Sequence, residues 1–140
     1  MYYLKTSSSF DSAHFLAGYD GKCKNIHGHR WVVEVRIQGN ELQHSGTEKD
    51  MLVDFGNFKK SVRELTDSFD HTLIYENGSL KPSTVEALES ENFRLIEVGF
   101  RPTAENFAKY FYDVLSENFD IADVTVYETP ENCAIYRGDM

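Results

Sequence analysis

The chain has 140 residues, 41% of them hydrophobic and 14% aromatic, with charges of both signs and a net charge of −9. That length suits one domain that buries roughly 70% of its unfolded surface, and the composition is that of a packed chain, not a disordered one. The acidic balance argues against a nucleic-acid-binding surface, and the apolar runs are too short to cross a bilayer. Met1 to Ser7 lacks a basic region followed by an apolar run, so no secretory signal is expected. Cys23 and Cys133 are the only cysteines. They give no disulfide framework and point to a reducing, cytoplasmic compartment.

Met1 to Leu16 is rich in Tyr, Thr, Ser and Phe. Phe10, Ser12 and His14 alternate there against Asp11 and Ala13, which predicts a strand. Gly18, Asp20 and Gly21 mark a loop over Ala17–Asn25. From His27 onward, His29, Trp31, Val33, Val35 and Ile37 fall on one side of a second strand, with Arg30, Glu34, Arg36 and Gln38 on the other. Asp54 is a good N-cap for a helix carrying Phe55, Phe58, Val62, Leu65 and Phe69 at 3-4 spacing. Thr103 caps a second helix, with Glu105 near the positive end of its dipole and Phe107, Ala108, Phe111, Val114 and Leu115 on its apolar stripe. Two short strands close the chain: one with Val124, Val126 and Glu128 in phase, the other over Cys133 to Arg137. The expected order is strand-strand-helix-helix-strand-strand, an α+β domain with two helices on one face of a four-stranded antiparallel sheet. The domain spans 1–140, with a peripheral excursion at about 75–101 that carries a short helix after a capping box at Ser83.

The residues that carry chemistry gather early. His27 and His29 stand at i and i+2, on the same side of a strand, and an antiparallel pairing across the intervening loop would bring His14 alongside them. Three imidazoles with no fourth protein ligand describe an open zinc site, where water or substrate takes the vacant position. The competing view is a pair of satisfied strand histidines and an unrelated third. His44 lies in a polar loop and reads as plain surface. Cys23 sits between Lys22 and Lys24, where positive charge would lower a thiol's pKa; the alternative is a buried small hydrophobe. Packing is the better expectation for Cys133. Asp70-His71 is either a proton shuttle or a helix-end cap. Glu128 shares the phase of Val124 and Val126, so its carboxylate needs a donor-rich partner, such as the amino-pyrimidinone edge of a pterin or guanine, unless it reaches solvent. Lys22, Lys24 and Arg30, and Lys59-Lys60 further on, are local basic spots in an acidic chain.

Cys23-Lys24-Asn25-Ile26-His27-Gly28-His29 and Phe10-Asp11-Ser12-Ala13-His14 resemble motifs of the pyruvoyl-tetrahydropterin synthase superfamily. So do Val53-Asp54-Phe55-Gly56, Asp70-His71, Pro102-Thr103-Ala104-Glu105-Asn106 and Tyr127-Glu128-Thr129. The match covers nearly the whole chain, in order. The short gap between Cys23 and His27 is similar to that of the bacterial, carboxypterin-forming branch. The resemblance implies that His14, His27 and His29 hold one Zn2+ per chain, with Cys23, Asp70 and His71 catalytic. It implies that Glu128 anchors the pterin ring, with Thr103 and Glu105 near its pocket. The implied reaction turns 7,8-dihydroneopterin triphosphate into 6-carboxytetrahydropterin with release of acetaldehyde and triphosphate, toward the 7-deazaguanine base of queuosine. The implied fold is the tunnelling fold, a homo-oligomer (a hexamer) whose subunit sheets join into a barrel with active sites at the interfaces. A pyruvoyl-forming or other pterin side-chain-cleaving relative is the enzyme alternative, and a zinc- or pterin-binding module without catalysis is the other. The Tyr75–Arg101 excursion departs from the shorter family pattern and leaves the ligand set intact.

Overall fold

In the computed structural model, which describes residues 1–139, nine regular elements follow one another: β1 (Tyr2–His14), β2 (His27–Gly39), α1 (Phe55–Asp67), β3 (Thr72–Glu76), α2 (Pro82–Ser90), β4 (Leu95–Val98), α3 (Ala104–Leu115), β5 (Ile121–Tyr127) and β6 (Cys133–Tyr136). The strands form one sheet in the order β4-β3-β1-β2-β5-β6. The α+β layering is as expected, but the sheet has six strands, not four, and it is mixed: β3 pairs in parallel with both β1 and β4. The two extra strands and a third helix come mostly from the stretch read as peripheral. Thr72–Glu76 hides its strand character because Ile74 and Tyr75 are both buried, so period-2 alternation is lost. A strand covered on both faces reads as a continuous apolar run. The helix in this stretch starts at Pro82 with Lys81 as its N-cap and no side-chain cap bond. Proline at the first helical position presets the turn, and Ser83 does not act as the cap.

The long β1–β2 hairpin is the frame of the molecule. Its register runs from Tyr2↔Gly39 to His14↔His27. One face carries Phe10, Trp31, Val33, Val35 and Ile37, all at most 2% exposed, beneath α1 and α3. Phe58 and Val62 of α1, and Phe107, Ala108 and Phe111 of α3, fill that core, while Phe55 is left exposed at the start of α1. Asp54 and Thr103 cap their helices as expected, accepting from the amides of Asn57 and Asn106 at 3.3 and 3.2 Å. Rings of Phe10 and Trp31 stack with centroids 5.9 Å apart, and Phe107 meets Trp31 edge-on at 5.0 Å. Aromatic packing of this kind fixes the loop end of the hairpin, where the three histidines emerge. Cys133 is exposed on β6, contrary to the expectation of packing, because an edge strand of four residues leaves one face uncovered.

Candidate metal centre

The antiparallel register that stacks β1 on β2 sets His14 directly opposite His27 and Ser12 opposite His29. The three imidazoles meet with ring centroids 4.6, 5.1 and 4.9 Å apart, on the far side of Trp31 from the core. His14 Nδ1 lies 2.7 Å from the Pro102 carbonyl, and His27 Nδ1 lies 2.6 Å from the Asn25 carbonyl. A carbonyl only accepts, so in each case Nδ1 carries the hydrogen and Nε2 is left with its lone pair. The Nε2 atoms of His14, His27 and His29 are all buried without a hydrogen-bond partner. Orphaned buried polar atoms cost about 1–3 kcal/mol each, so three in one place mark a missing partner.

The chemistry of that partner follows from the donor set. Burial pushes His14 down from 6.5 to about 4, against the hydrogen bond to Pro102 that opposes the shift, with repulsion from His27 and His29 adding to it. Burial also lowers His29, and the nearby Glu128 carboxylate opposes the change. Imidazoles with converging Nε2 atoms, two of them anchored through Nδ1–H to backbone carbonyls, are what a divalent cation requires. Glu128 joins them: its Oε1 stands 3.0 Å from His29 Nε2, and the ligand atoms of His14, His27, His29 and Glu128 all lie within 4.8 Å of one another. The 3.0 Å separation is an ion-pair distance without hydrogen-bond alignment, consistent with His29 Nε2 remaining unpartnered. A metal ion therefore fits this group. Glu128 comes near the expected trio because it directly follows the end of β5, which pairs with β2 up to Val32↔Tyr127.

Other residues singled out by sequence fall in different places. Cys23 occupies a single 3-10 turn, Lys22–Lys24, in the loop between His14 and His27, and its carbonyl accepts the Leu16 amide at 2.9 Å. The thiol is half-buried and outside the group of converging ligand atoms. Glu105 lies in the first turn of α3 and shares a cavity of about 430 Å³ with Glu128 and Asn132. Thr103 has its hydroxyl engaged as the α3 cap.

Asp70 and His71 form the expected pair, with Nδ1 of His71 2.7 Å from Asp70 Oδ2. The Asp11 amide donates to Asp70 Oδ1 at 2.8 Å, and the His71 amide donates to the Asp11 carbonyl at 2.7 Å. That amide bond, ahead of the imidazole, holds the Asp70 carboxyl below its usual range. The His71 ring is 75% exposed beside a groove of about 770 Å³ that also touches Asp11, Arg30, Leu73, Phe93 and Arg94. Asp11, Arg30 and Leu73 alternate with the core-facing residues of their strands, His29 borders the same groove, and His14 is buried, 1% exposed. The Asp–His pair stands outside the group of converging ligand atoms.

Sequence reasoning missed the two carbonyls, Pro102 and Asn25, that orient the imidazoles. A backbone acceptor leaves no residue-type signature, although the adjacency of Pro102 to the Thr103 cap pointed to this turn.

Comparison with known proteins agrees with this geometry. The 6-pyruvoyl tetrahydropterin synthase family model matches residues 3–139. A 6-carboxy-5,6,7,8-tetrahydropterin synthase of Haemophilus influenzae is 36% identical over 98% of this chain and 99% of its own. One of the same name from Aquifex aeolicus is 32% identical over 83% and 76%. Among solved structures, an uncharacterized protein of Wolinella succinogenes aligns with a TM-score of 0.79 at 18% identity, covering 99% and 98% of the two chains. The 6-pyruvoyl tetrahydropterin synthase of Caenorhabditis elegans aligns at 0.70 with 25% identity, over 99% and 96%.

Proposed function

This chain belongs to the 6-pyruvoyl tetrahydropterin synthase family, and on that premise we propose that it is a zinc-dependent carbon–carbon lyase. Its substrate is 7,8-dihydroneopterin triphosphate, and its products are 6-carboxy-5,6,7,8-tetrahydropterin, acetaldehyde and triphosphate, on the route to queuosine. The names of its relatives support this reading over the pyruvoyl-forming alternative. The observation that carries the enzyme assignment is the set of three buried Nε2 atoms, converging and without partners.

His14, His27 and His29 would hold the zinc, with Glu128 at its margin. When bound, the ion supplies Lewis acidity that makes protons beside the substrate's side-chain hydroxyls easier to remove. The remaining work belongs to protein groups. The Cys23 thiol, between two lysines, takes and returns protons as the side chain is rearranged and cleaved. Glu128 and Glu105, which share a cavity, accept hydrogen bonds from the amino-pyrimidinone edge of the pterin. Thr103 positions the start of α3, and through Pro102 the His14 ring. His71, oriented by Asp70, relays protons to a substrate held by a neighbouring chain. The place of the pair outside the converging ligand group supports this division of labour. The functional unit in this reading is a homo-oligomer, a hexamer with sites at subunit interfaces, built from single synthase domains and working in the cytoplasm. No helix of the described residues is long and apolar enough to cross a membrane. Incubating the zinc-loaded protein with 7,8-dihydroneopterin triphosphate and weighing the products tests the proposal. A carboxypterin with acetaldehyde is expected; a pyruvoyl-pterin, or unconverted substrate, would contradict it.

A further inference from the structure

Polar contact between the Cys23 loop and the rest of the molecule runs through one residue. Ala17 to Asn25 lie between His14, the last residue of β1, and His27, the first of β2. Their own hydrogen bonds stay within that end of the hairpin: the amides of Leu16, Tyr19, Lys24 and Asn25 donate to Cys23, Leu16, Gly21 and Lys22, and His27 donates to Asn25. The exception is the Ala17 carbonyl, which accepts from Arg101 Nη2 at 3.0 Å. The Arg101 guanidinium also lies over the Tyr19 ring, 5.8 Å from its centroid. Among the described residues the loop has no other hydrogen bond, ion pair or cation–π contact outside the hairpin.

The ring passes the constraint on. A Cβ at Gly21 would fall 2.5 Å from Tyr19 Cε2, so the ring is seated against the Gly21 backbone where only glycine leaves room for it. Gly21 is the N-cap of the single turn Lys22–Lys24 that carries Cys23. Guanidinium, ring and glycine thus form a continuous series of contacts up to the turn that bears the thiol.

The other end of the series is anchored beside the imidazoles. The Arg101 carbonyl accepts from the Thr103 amide at 2.8 Å and from Asn106 Nδ2 at 2.9 Å, which fixes the turn into α3. The next carbonyl, that of Pro102, accepts from His14 Nδ1. One turn therefore holds a metal-site ring with its backbone and the thiol loop with the neighbouring side chain. Arg101 Nε is buried without an acceptor. A clamp that served stability alone would satisfy that N–H, since an unpaired buried donor is unfavourable.

We propose that Arg101 is a positioning residue: through the Ala17 carbonyl and the Tyr19 ring it holds the Cys23 thiol in register with the imidazoles. The tether stands on the contacts themselves; its bearing on turnover rests on the function proposed above. A guanidinium suits the task because one N–H meets the carbonyl while the planar group lies over a ring. Misplacing a reacting group by about 1 Å costs up to about 100-fold in rate.

The test uses the zinc-loaded, full-length protein and compares Arg101→Gln with the parent. Hydrogen exchange at the bonded amides of Tyr19, Lys24 and Asn25 should quicken about tenfold, the scale of one charge-assisted bond, and stay unchanged over β2. Iodoacetamide should alkylate the half-buried Cys23 about tenfold faster for the same reason, with Cys133, read as a separate peptide, unaffected. Turnover should show kcat lowered about tenfold or more and KM nearly constant, with zinc still at about one per chain. Gly21→Ala removes no group but sets a methyl against the Tyr19 ring. It should reproduce the faster alkylation, and an unaltered rate would strike the ring from the tether. Arg36→Gln is the matched control, since Arg36 pairs with Asp123 and lies over the Tyr3 ring toward the other end of the hairpin. Cys23 alkylation should not respond to it; an equal quickening there would reduce the effect to general loosening and overturn the proposal. Unchanged exchange in Arg101→Gln would overturn it as well. Faster exchange with parental kcat would show a tether without a positioning role. A parent that converts no pterin would overturn the proposed function, while exchange and alkylation would still decide the tether.

Discussion

Acid should unfold the metal-free protein earlier than a protein without the buried His14. In the unfolded chain His14 takes up a proton near the ordinary imidazole value of 6.5; in the folded chain burial delays this to about 4. The unfolded state therefore binds more protons throughout that window. Stability rises with pH across it and is lost as pH falls from 6.5 toward 4. At 1.36 kcal/mol per pH unit the full shift corresponds to about 3 kcal/mol, with His29 adding in the same direction. Asp70, whose pKa is lowered by the Asp11 amide, loses its contribution only as pH falls below the ordinary carboxyl value of 3.8, so it does not confuse the window. Urea unfolding with excess chelator at pH 7, 6 and 5 would measure the slope in the parent and in His14→Gln, whose amide still donates toward Pro102. The parent should lose about 1 kcal/mol per unit more than the variant once below pH 6. Identical acid slopes in the two proteins would refute the view that His14 is held neutral by its burial.

Other consequences concern catalysis and assembly. Cys23→Ala should abolish turnover while elemental analysis still finds about one zinc per chain, the occupancy of a three-His set with one open position; near-normal turnover would remove the thiol from the chemistry. Glu128→Gln should weaken substrate binding and slow turnover with zinc retained, and zinc lost on dialysis would instead make the carboxylate a required ligand. Co-expressed Cys23→Ala and His71→Ala chains, each inactive alone, should recover about a quarter of parental activity if each site draws on two chains in a symmetric assembly. No recovery would return both residues to one chain. Thr103→Ala should cost about 1 kcal/mol in denaturant unfolding, the usual scale for a lost N-cap; an unchanged midpoint would show that the cap is idle.

The parts of the fold that could be read directly from sequence are those with a clean period. The alternation from His29 to Ile37 gives β2 and its buried face, and the Asp54 and Thr103 caps give α1 and α3. β3 and β4 escape because each is short, and β3 is covered on both faces, so the alternation that marks a half-buried strand is missing. At the candidate site, the pairing of His14 with His27 is legible because a hairpin fixes the register of its two arms. The place of Asp70-His71 is not legible from adjacency to the helix end. The face it takes depends on how β3 enters the sheet beside β1, a long-range pairing with no local signal. Glu128 was legible as an inward carboxylate, whereas its approach to His29 depends on β5 lying against β2.

X-ray absorption on the zinc-reconstituted protein probes the core of the account most directly. The predicted spectrum has a first shell of imidazole nitrogens and light oxygen atoms at about 2.0–2.1 Å, at about one ion per chain, and it loses the ion in His27→Ala. A sulfur shell near 2.3 Å, or a folded protein that takes up no stoichiometric metal, would contradict it.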